Sequence, residues 1–441
     1  MDTLFEQIIR NDSPGAAVSV IKDGSIIYKN GYGIANMEYD IRITPSTIFH
    51  VASVSKQFTT FAIAILADQG KLLLDDDIHK YLPEVPDFGK KINICHLIYH
   101  TSGLRDQWEL LTLAGWRDDD VITQEHIMKM VRNQKELNFD PGDEYSYCNT
   151  GYTLLAEIVE RVSGQSFREF TRVNIFEPLG MQNTHFHDDH EMIVKNMAYS
   201  YSSDGNGGFK KSVLNFANVG ATSLFTTVED LAKWLDNFDK KIVGGASIIN
   251  QMLQKGKLNN GKEIDYAFGL AIGEYRGLKT FGHSGGDAGY RSHVVCFPDQ
   301  KFCVVVLSNL GSFSPSDLAM RVSDVYLADQ LAPIKPKEEL KEETKEQQPV
   351  EVNLASLDEY VGSYYSDELG TEYTIVGKDA KLLIQHRRND DVTLTCIDKD
   401  IFSGNSISKL AFTRDESNNI TGFMLTGWGR VRNLRFVKRF N

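Results

Sequence analysis

Strand-forming segments stand on both sides of a long helical stretch, and that arrangement limits this chain to few folds. Gly15 to Lys22 alternates apolar residues, Asp23-Gly24 makes a hairpin turn, and Ser25 to Tyr32 returns as a second strand. From about Asp75 to Asp265 the spacing is mostly helical, with segments at Thr123–Asn133, Gly151–Val162, Phe167–Val173 and Val228–Phe238. Beta character resumes at Phe268–Tyr275, Thr280–His283 and Ser292–Phe297, and Pro298-Asp299-Gln300-Lys301 turns the chain into Phe302–Leu307. Ser316 is positioned to cap a helix running to about Leu331. The expected fold class is therefore α/β (α+β): one antiparallel sheet flanked by helices, interrupted by a large helical insertion.

A second unit follows. Pro333 to Val352 mixes Lys335, Lys337, Lys341 and Lys345 with Glu338, Glu339, Glu342, Glu343 and Glu346, which reads as a charged linker with helix-forming composition in its middle. Short alternating segments come next, at Glu372–Val376, Lys381–Gln385, Asp391–Ile397, Lys409–Thr413, Ile420–Thr426 and Val431–Val437. Such spacing predicts a small antiparallel β-barrel. The expected division is residues 1–332, a linker over 333–352, and a barrel over 353–441.

Composition narrows the partners. A net charge of −13 opposes nucleic acid or an anionic membrane, both of which require basic patches. No apolar run reaches transmembrane length. The five cysteines lack metal-ligand spacing and read as reduced residues of a cytoplasmic protein. Met1 to Arg10 reads as a short amphipathic helix without the basic start and apolar core of a signal peptide. A removed leader would instead place the protein in the periplasm or outside the cell.

Ser53-Val54-Ser55-Lys56 opens a helix whose apolar residues Phe58, Phe61, Ala62, Ile65 and Leu66 recur at helical spacing. Residues three apart share a helix face, so the Ser53 hydroxyl and the Lys56 amine are neighbours. A serine alcohol needs a base, and a lysine serves only when burial or cations lower its pKa from about 10.4. Tyr147-Cys148-Asn149 lies in a loop before the next helix, offering a phenol for proton relay and an amide for a substrate carbonyl. His283-Ser284-Gly285-Gly286 ends a strand, where glycines admit a substrate backbone, and the N–H groups of Gly286 and Ser53 are candidates for an oxyanion hole. A second Ser-x-x-Lys, Ser406 to Lys409, falls in turn and strand and has no such partners.

Ser-x-x-Lys, Tyr-x-Asn and His-x-Gly in this order resemble the serine β-lactamase and penicillin-binding-protein superfamily. The branch most similar holds class C β-lactamases, DD-carboxypeptidases, D-aminopeptidases and related esterases. His100-Thr101-Ser102-Gly103-Leu104, Pro141-Gly142 and Glu177-Pro178-Leu179-Gly180-Met181 extend the likeness over roughly residues 10–330. The last segment is similar to lipocalin-like barrels appended to some members.

The resemblance implies Ser53 as the acylated nucleophile, with Lys56 and Tyr147 sharing the proton transfers. Asn149, His283, Gly285 and Gly286 would bind substrate, with His283 bonding toward Tyr147 or a substrate carboxylate. It implies no metal and no organic cofactor. Many β-lactamases carry lysine where this chain has His283, which tilts the expectation toward short D-residue peptides or small esters. β-Lactams would then be slow substrates or inhibitors. The alternative is a penicillin-binding or sensing protein that acylates without turnover, its barrel serving as a ligand cup. The barrel could equally gate the cleft or join protomers into a homo-oligomer, and Gly205–Gly208 would belong to a loop over the cleft.

Two other segments carry residues with rival chemistry. His185-Phe186-His187-Asp188-Asp189-His190 has the spacing of a zinc-binding hydrolase motif, yet it follows a loop rather than a strand and reads as a polar surface segment. Cys148 is expected to point away from the cleft as a structural residue.

Overall fold

The computed structural model describes residues 12–333 and 354–439. The N-terminal helix expected at Met1–Arg10 and nearly all of the charged linker lie outside the described residues.

Six strands form the main sheet: β1 (Ala16–Lys22), β2 (Ser25–Tyr32), β3 (Ala271–Tyr275), β4 (Leu278–Asp287), β5 (Tyr290–Phe297) and β6 (Phe302–Ser308). Their order is β3-β4-β5-β6-β1-β2, every pairing antiparallel. The N-terminal hairpin and the four later strands thus join where β1 pairs with β6, Ala16 opposite Ser308, and the helical insertion leaves from β2 at one edge of the sheet and returns at β3 on the other. Alternation buries both faces of the central strands. Ala16, Val18 and Val20 join Val304 and Val306 in one core, beneath a helix at Pro315–Tyr326. Ala17 and Ile21 join Val305 and Leu307 in the larger core toward the insertion.

That terminal helix starts and stops earlier than its sequence indicates. Ser314, not Ser316, accepts the Asp317 N–H, and Pro315 takes the first helical position, where no N–H is needed.

Four further helices matter for the site: α1 (Lys56–Asp68), α2 (Gln107–Leu113), α3 (Asn149–Ser163) and α4 (Val228–Lys240). A short 3-10 turn, Ala52–Ser55, leads into α1, so Ser53 stands just before the α-helix rather than within it. α1 is buried nearly all round, and Phe58 and Phe61 pack on Trp234 of α4 with ring centroids 4.4 and 5.0 Å apart. Such a helix belongs in the middle of a domain.

The last segment closes into an eight-stranded antiparallel barrel: β7 (Gly362–Ser366), β8 (Thr371–Lys378), β9 (Lys381–Gln385), β10 (Val392–Asp398), β11 (Ile401–Gly404), β12 (Ile407–Arg414), β13 (Ile420–Thr426) and β14 (Leu434–Arg439). β7 and β11 have no counterpart in the sequence reading, being short and, in β11, broken by register shifts. The interior is packed with side chains. Phe423 stacks on Phe436 at 4.7 Å and Tyr373 stacks on the other side at the same distance. This filling corrects the expectation of a ligand cup, because aromatic rings occupy the space a ligand would take.

One cysteine expectation is also overturned. Cys296 and Cys303 form a disulfide, while Cys95, Cys148 and Cys396 are free. The four-residue turn at Pro298–Lys301 sets β5 against β6 so that Cys296 faces Cys303 directly. Number and spacing alone point to five reduced thiols; it is the hairpin register that brings two of them together.

Candidate functional site

The 3-10 turn raises the Ser53 side chain to a half-buried position while Lys56, one turn on, is fully enclosed. Lys56 Nζ lies 3.0 Å from Ser53 Oγ, 2.8 Å from Asn149 Oδ1 and 2.7 Å from the Ala221 carbonyl. All three are acceptors, so the ammonium's three donors are matched. Ser55 locks the turn by donating to Ala52 and accepting the Leu224 N–H at 3.0 Å.

Lys56 is pulled down to about 7. Burial is the principal cause, Arg430 pushes the same way, and Asp287 and Asp106 oppose it. An amine whose proton is loosened by burial thus touches the serine hydroxyl.

Tyr147 occupies the loop before α3. Its ring lies 5.0 Å from Lys56 Nζ and 5.2 Å from the Arg430 guanidinium, a cation on each account. Burial nevertheless holds the phenol well above its ordinary pKa, with a hydrogen bond from Ser53 pulling the other way. Asn149 is the first residue of α3 rather than part of the loop. Its amide oxygen is engaged by Lys56, and its nitrogen donates to Asp106 Oδ2 at 2.8 Å, so the side chain braces the amine from within the protein.

His283 sits in β4, and its expected bond to Tyr147 is not made. The Ser284 carbonyl can only accept, so Nδ1 carries the proton, and Nε2 accepts from Tyr266 Oη at 3.0 Å. Burial, then the charge of Lys56, push its pKa down to about 3. A neutral imidazole carries no charge to offer a substrate carboxylate.

Gly285 comes against Ser53. A Cβ there would lie 2.4 Å from the Val51 carbonyl and 2.9 Å from the Ser53 nitrogen, which no side chain permits. Gly286 follows on the same strand, opposite Arg291. The structure therefore brings Ser53, Lys56, Tyr147, Asn149, His283 and Gly285 into one cluster, with Gly286 beside it.

Several contributors had no motif. Asp106 caps α2 through the Trp108 and Glu109 N–H groups with one oxygen and holds Asn149 with the other. Asp287 takes His50 Nε2 at 2.9 Å and the Thr222 hydroxyl. Arg430 comes from the β13–β14 loop of the barrel, far along the chain. For Asp106 the capping position before Gln107 was the available signal; for Arg430 there was none.

The rivals sit elsewhere. Cys148 Sγ turns to the Leu104 carbonyl at 3.3 Å, and burial pushes the thiol up to about 12. His185–Phe186 is a short strand rather than a surface loop, with both His185 and His187 against Phe225. Burial lowers each histidine to about 4, and Asp188 turns to Arg168. Among the described residues, no group of three His, Cys, Asp or Glu side chains is gathered to hold a metal. Gly205–Gly208 falls in the hairpin between Tyr201–Ser203 and Phe209–Lys211. Among the described residues, no helix is long and apolar enough to cross a membrane.

Comparison with known proteins bears on the whole arrangement. A D-aminopeptidase of Gluconobacter oxydans is 29% identical over 300 residues, 68% of this chain. The match spans 56% of that relative, little more than half its length. Among solved structures, the octameric penicillin-binding protein homologue from Pyrococcus abyssi superposes with a TM-score of 0.67 at 24% identity, covering 99% of this chain and 98% of that one. The D-amino acid amidase from Ochrobactrum anthropi SV3 superposes with a TM-score of 0.62 at 21% identity, covering 74% and 98%. At these identities the two structures establish the shared fold, the former over nearly the whole chain, barrel included. The Beta-lactamase family model matches residues 1–327, the stretch that holds the sheet, its insertion and the Ser53 cleft, and this chain belongs to that family.

Proposed function

We propose that this protein is a serine hydrolase acting through a Ser53 acyl-enzyme on short peptides or amides of D-amino acids, or on small esters. The observation that carries this reading is the buried Lys56 amine, lowered to about 7 and 3.0 Å from the Ser53 hydroxyl. Neutral Lys56 takes the hydroxyl proton as Ser53 Oγ bonds to the substrate carbonyl carbon. The backbone N–H groups of Ser53 and Gly286 receive the oxygen that becomes negative. Tyr147, kept as a neutral phenol by burial, passes a proton to the departing amine or alkoxide as the carbonyl bond to it breaks. Lys56 returns that proton to Tyr147, and water then releases the acid by the reverse sequence. Of the two candidate bases, Lys56 fits better, because the raised pKa of Tyr147 makes a phenolate costly.

Asn149 and Asp106 act as positioning residues for Lys56, and neutral His283 shapes the pocket through Tyr266. Substrate preference follows the D-aminopeptidase relative and the D-amino acid amidase neighbour, with β-lactams as slow substrates or inhibitors. The same reading divides the chain into a hydrolase domain at 1–332, a linker at 333–352 and a barrel domain at 353–441. A sensor with the barrel as ligand cup is disfavoured by its packed interior.

Intact mass after treatment with a fluorophosphonate tests the proposal. One adduct is expected on the native chain and none on Ser53→Ala. An unmodified native chain, or an adduct that persists in the variant, would remove Ser53 from the mechanism.

A further inference from the structure

Beside the acylation centre lies a cavity of about 390 Å³ whose walls come from parts of the chain far apart in sequence. Trp108 and Phe216 form one wall, stacked with centroids 4.6 Å apart and planes 14° from parallel. Trp116 lines it beyond the end of α2, and Gly286 and Arg291 line the side toward the sheet. The barrel supplies the remaining ring, Trp428.

Trp428 is 57% exposed, although its backbone is fixed. Its N–H, and that of Arg430 at 3.1 Å, donate to the buried carboxylate of Glu109. Two residues further along, Arg430 lies over Tyr147. The loop is therefore anchored against the hydrolase fold while a large aromatic face stays open to the cavity.

Three of the charged groups of the lining are engaged elsewhere, while Asp118 is exposed at its rim. Arg291 donates to the carbonyls of Ala288 and Tyr290 at 3.0 and 2.7 Å. Arg117 forks onto Asp119, and Asp287 is held by His50 and Thr222. The cavity presents the rings of Trp108, Trp116, Phe216 and Trp428 beside polar groups of Asp118, Ser212 and Arg291, and Gly286, the assigned oxyanion donor, is itself part of its wall.

We propose that this cavity is a side-chain subsite for the acylated residue of the substrate, that it takes a large apolar and preferably aromatic group, and that Trp428 of the barrel provides the ring it stacks on. The inference rests on the Ser53 hydrolase reading for where the carbonyl sits. A cavity of this size holds a benzyl or indolyl group, and apolar pockets discriminate between side chains by about 10–200-fold. Ring stacking adds to what area alone provides.

The test uses the full chain carrying Ser53→Ala, so that binding is read without turnover. Calorimetric titration with D-phenylalanine amide and with D-alanine amide is expected to show about ten-fold or greater preference for the aromatic ligand. Adding Trp428→Ala should abolish most of that ratio, and Trp428→Phe should restore it. Equal affinities in the starting protein, no binding of either amide, or an equal loss for both ligands in Trp428→Ala would each overturn the subsite. Failure of the hydrolase reading shows separately, as a native chain that a fluorophosphonate does not modify.

Discussion

Lys56 resolves a conflict between burial and charge. Full burial disfavours its ammonium form, while three acceptors and the carboxylates of Asp106 and Asp287 favour it. Burial outweighs them, Arg430 adds a smaller push in the same direction, and the amine settles at about 7. A base must be deprotonated to accept the Ser53 proton, so kcat/KM on a small ester should climb as pH rises through about 7. Replacing Arg430 by Met removes a nearby cation, Lys56 then keeps its proton to higher pH, and the rising limb should move upward. A pH–rate profile of both proteins checks this, and a limb that stays in place would separate Arg430 from the titration. Above the limb the two rates should converge if Arg430 acts only through charge.

Helix α2 links two jobs that the linear sequence keeps apart. Its cap, Asp106, holds Asn149, and three residues on Glu109 holds the barrel loop through two N–H groups. Burial raises Glu109 to about 7, so its charged form persists there largely because those donors point at it. Glu109→Gln keeps the shape but turns an amide nitrogen toward one donor, at a local cost of about 1–3 kcal/mol. Hydrogen exchange over residues 427–432 should quicken in that variant, while the core of α1 stays protected. The helices and the sheet of this region were legible because their apolar spacing follows the fold, as in α1 with Phe58, Phe61 and Leu66. The Ser53, Tyr147 and His283 motifs were legible because each lies within a few residues of chain. Asp106 and Arg430 were not, since their roles arise from contacts between elements distant in sequence. The Cys296–Cys303 pairing was within reach, because the turn residues already set the two strands in register.

The two halves of the molecule share a buried surface. Arg105, 1% exposed, pairs with Glu368 of the barrel, which is 5% exposed, and donates to the Arg432 carbonyl at 2.8 Å. Tyr373 of the barrel donates to the Leu113 carbonyl at 2.7 Å. Removing one partner of a buried pair strands the other, so Glu368→Ala should cost about 3–5 kcal/mol and lower the melting temperature. Asp120→Ala breaks the outer pair with Arg388, where the arginine is 38% and the aspartate 23% exposed, and should cost no more than about 1 kcal/mol. Thermal melts of the two variants rank them, and equal melting temperatures would deny the interface its buried anchor.

The family match ends at residue 327, yet a guanidinium from residue 430 lies over Tyr147. Transplanting residues 1–327 onto another barrel would therefore carry Ser53 and Lys56 across and leave part of their electrostatic setting behind. Conversely, exchanging only the six residues 427–432 between relatives becomes a route to retuning such an enzyme without touching a single motif of its catalytic domain.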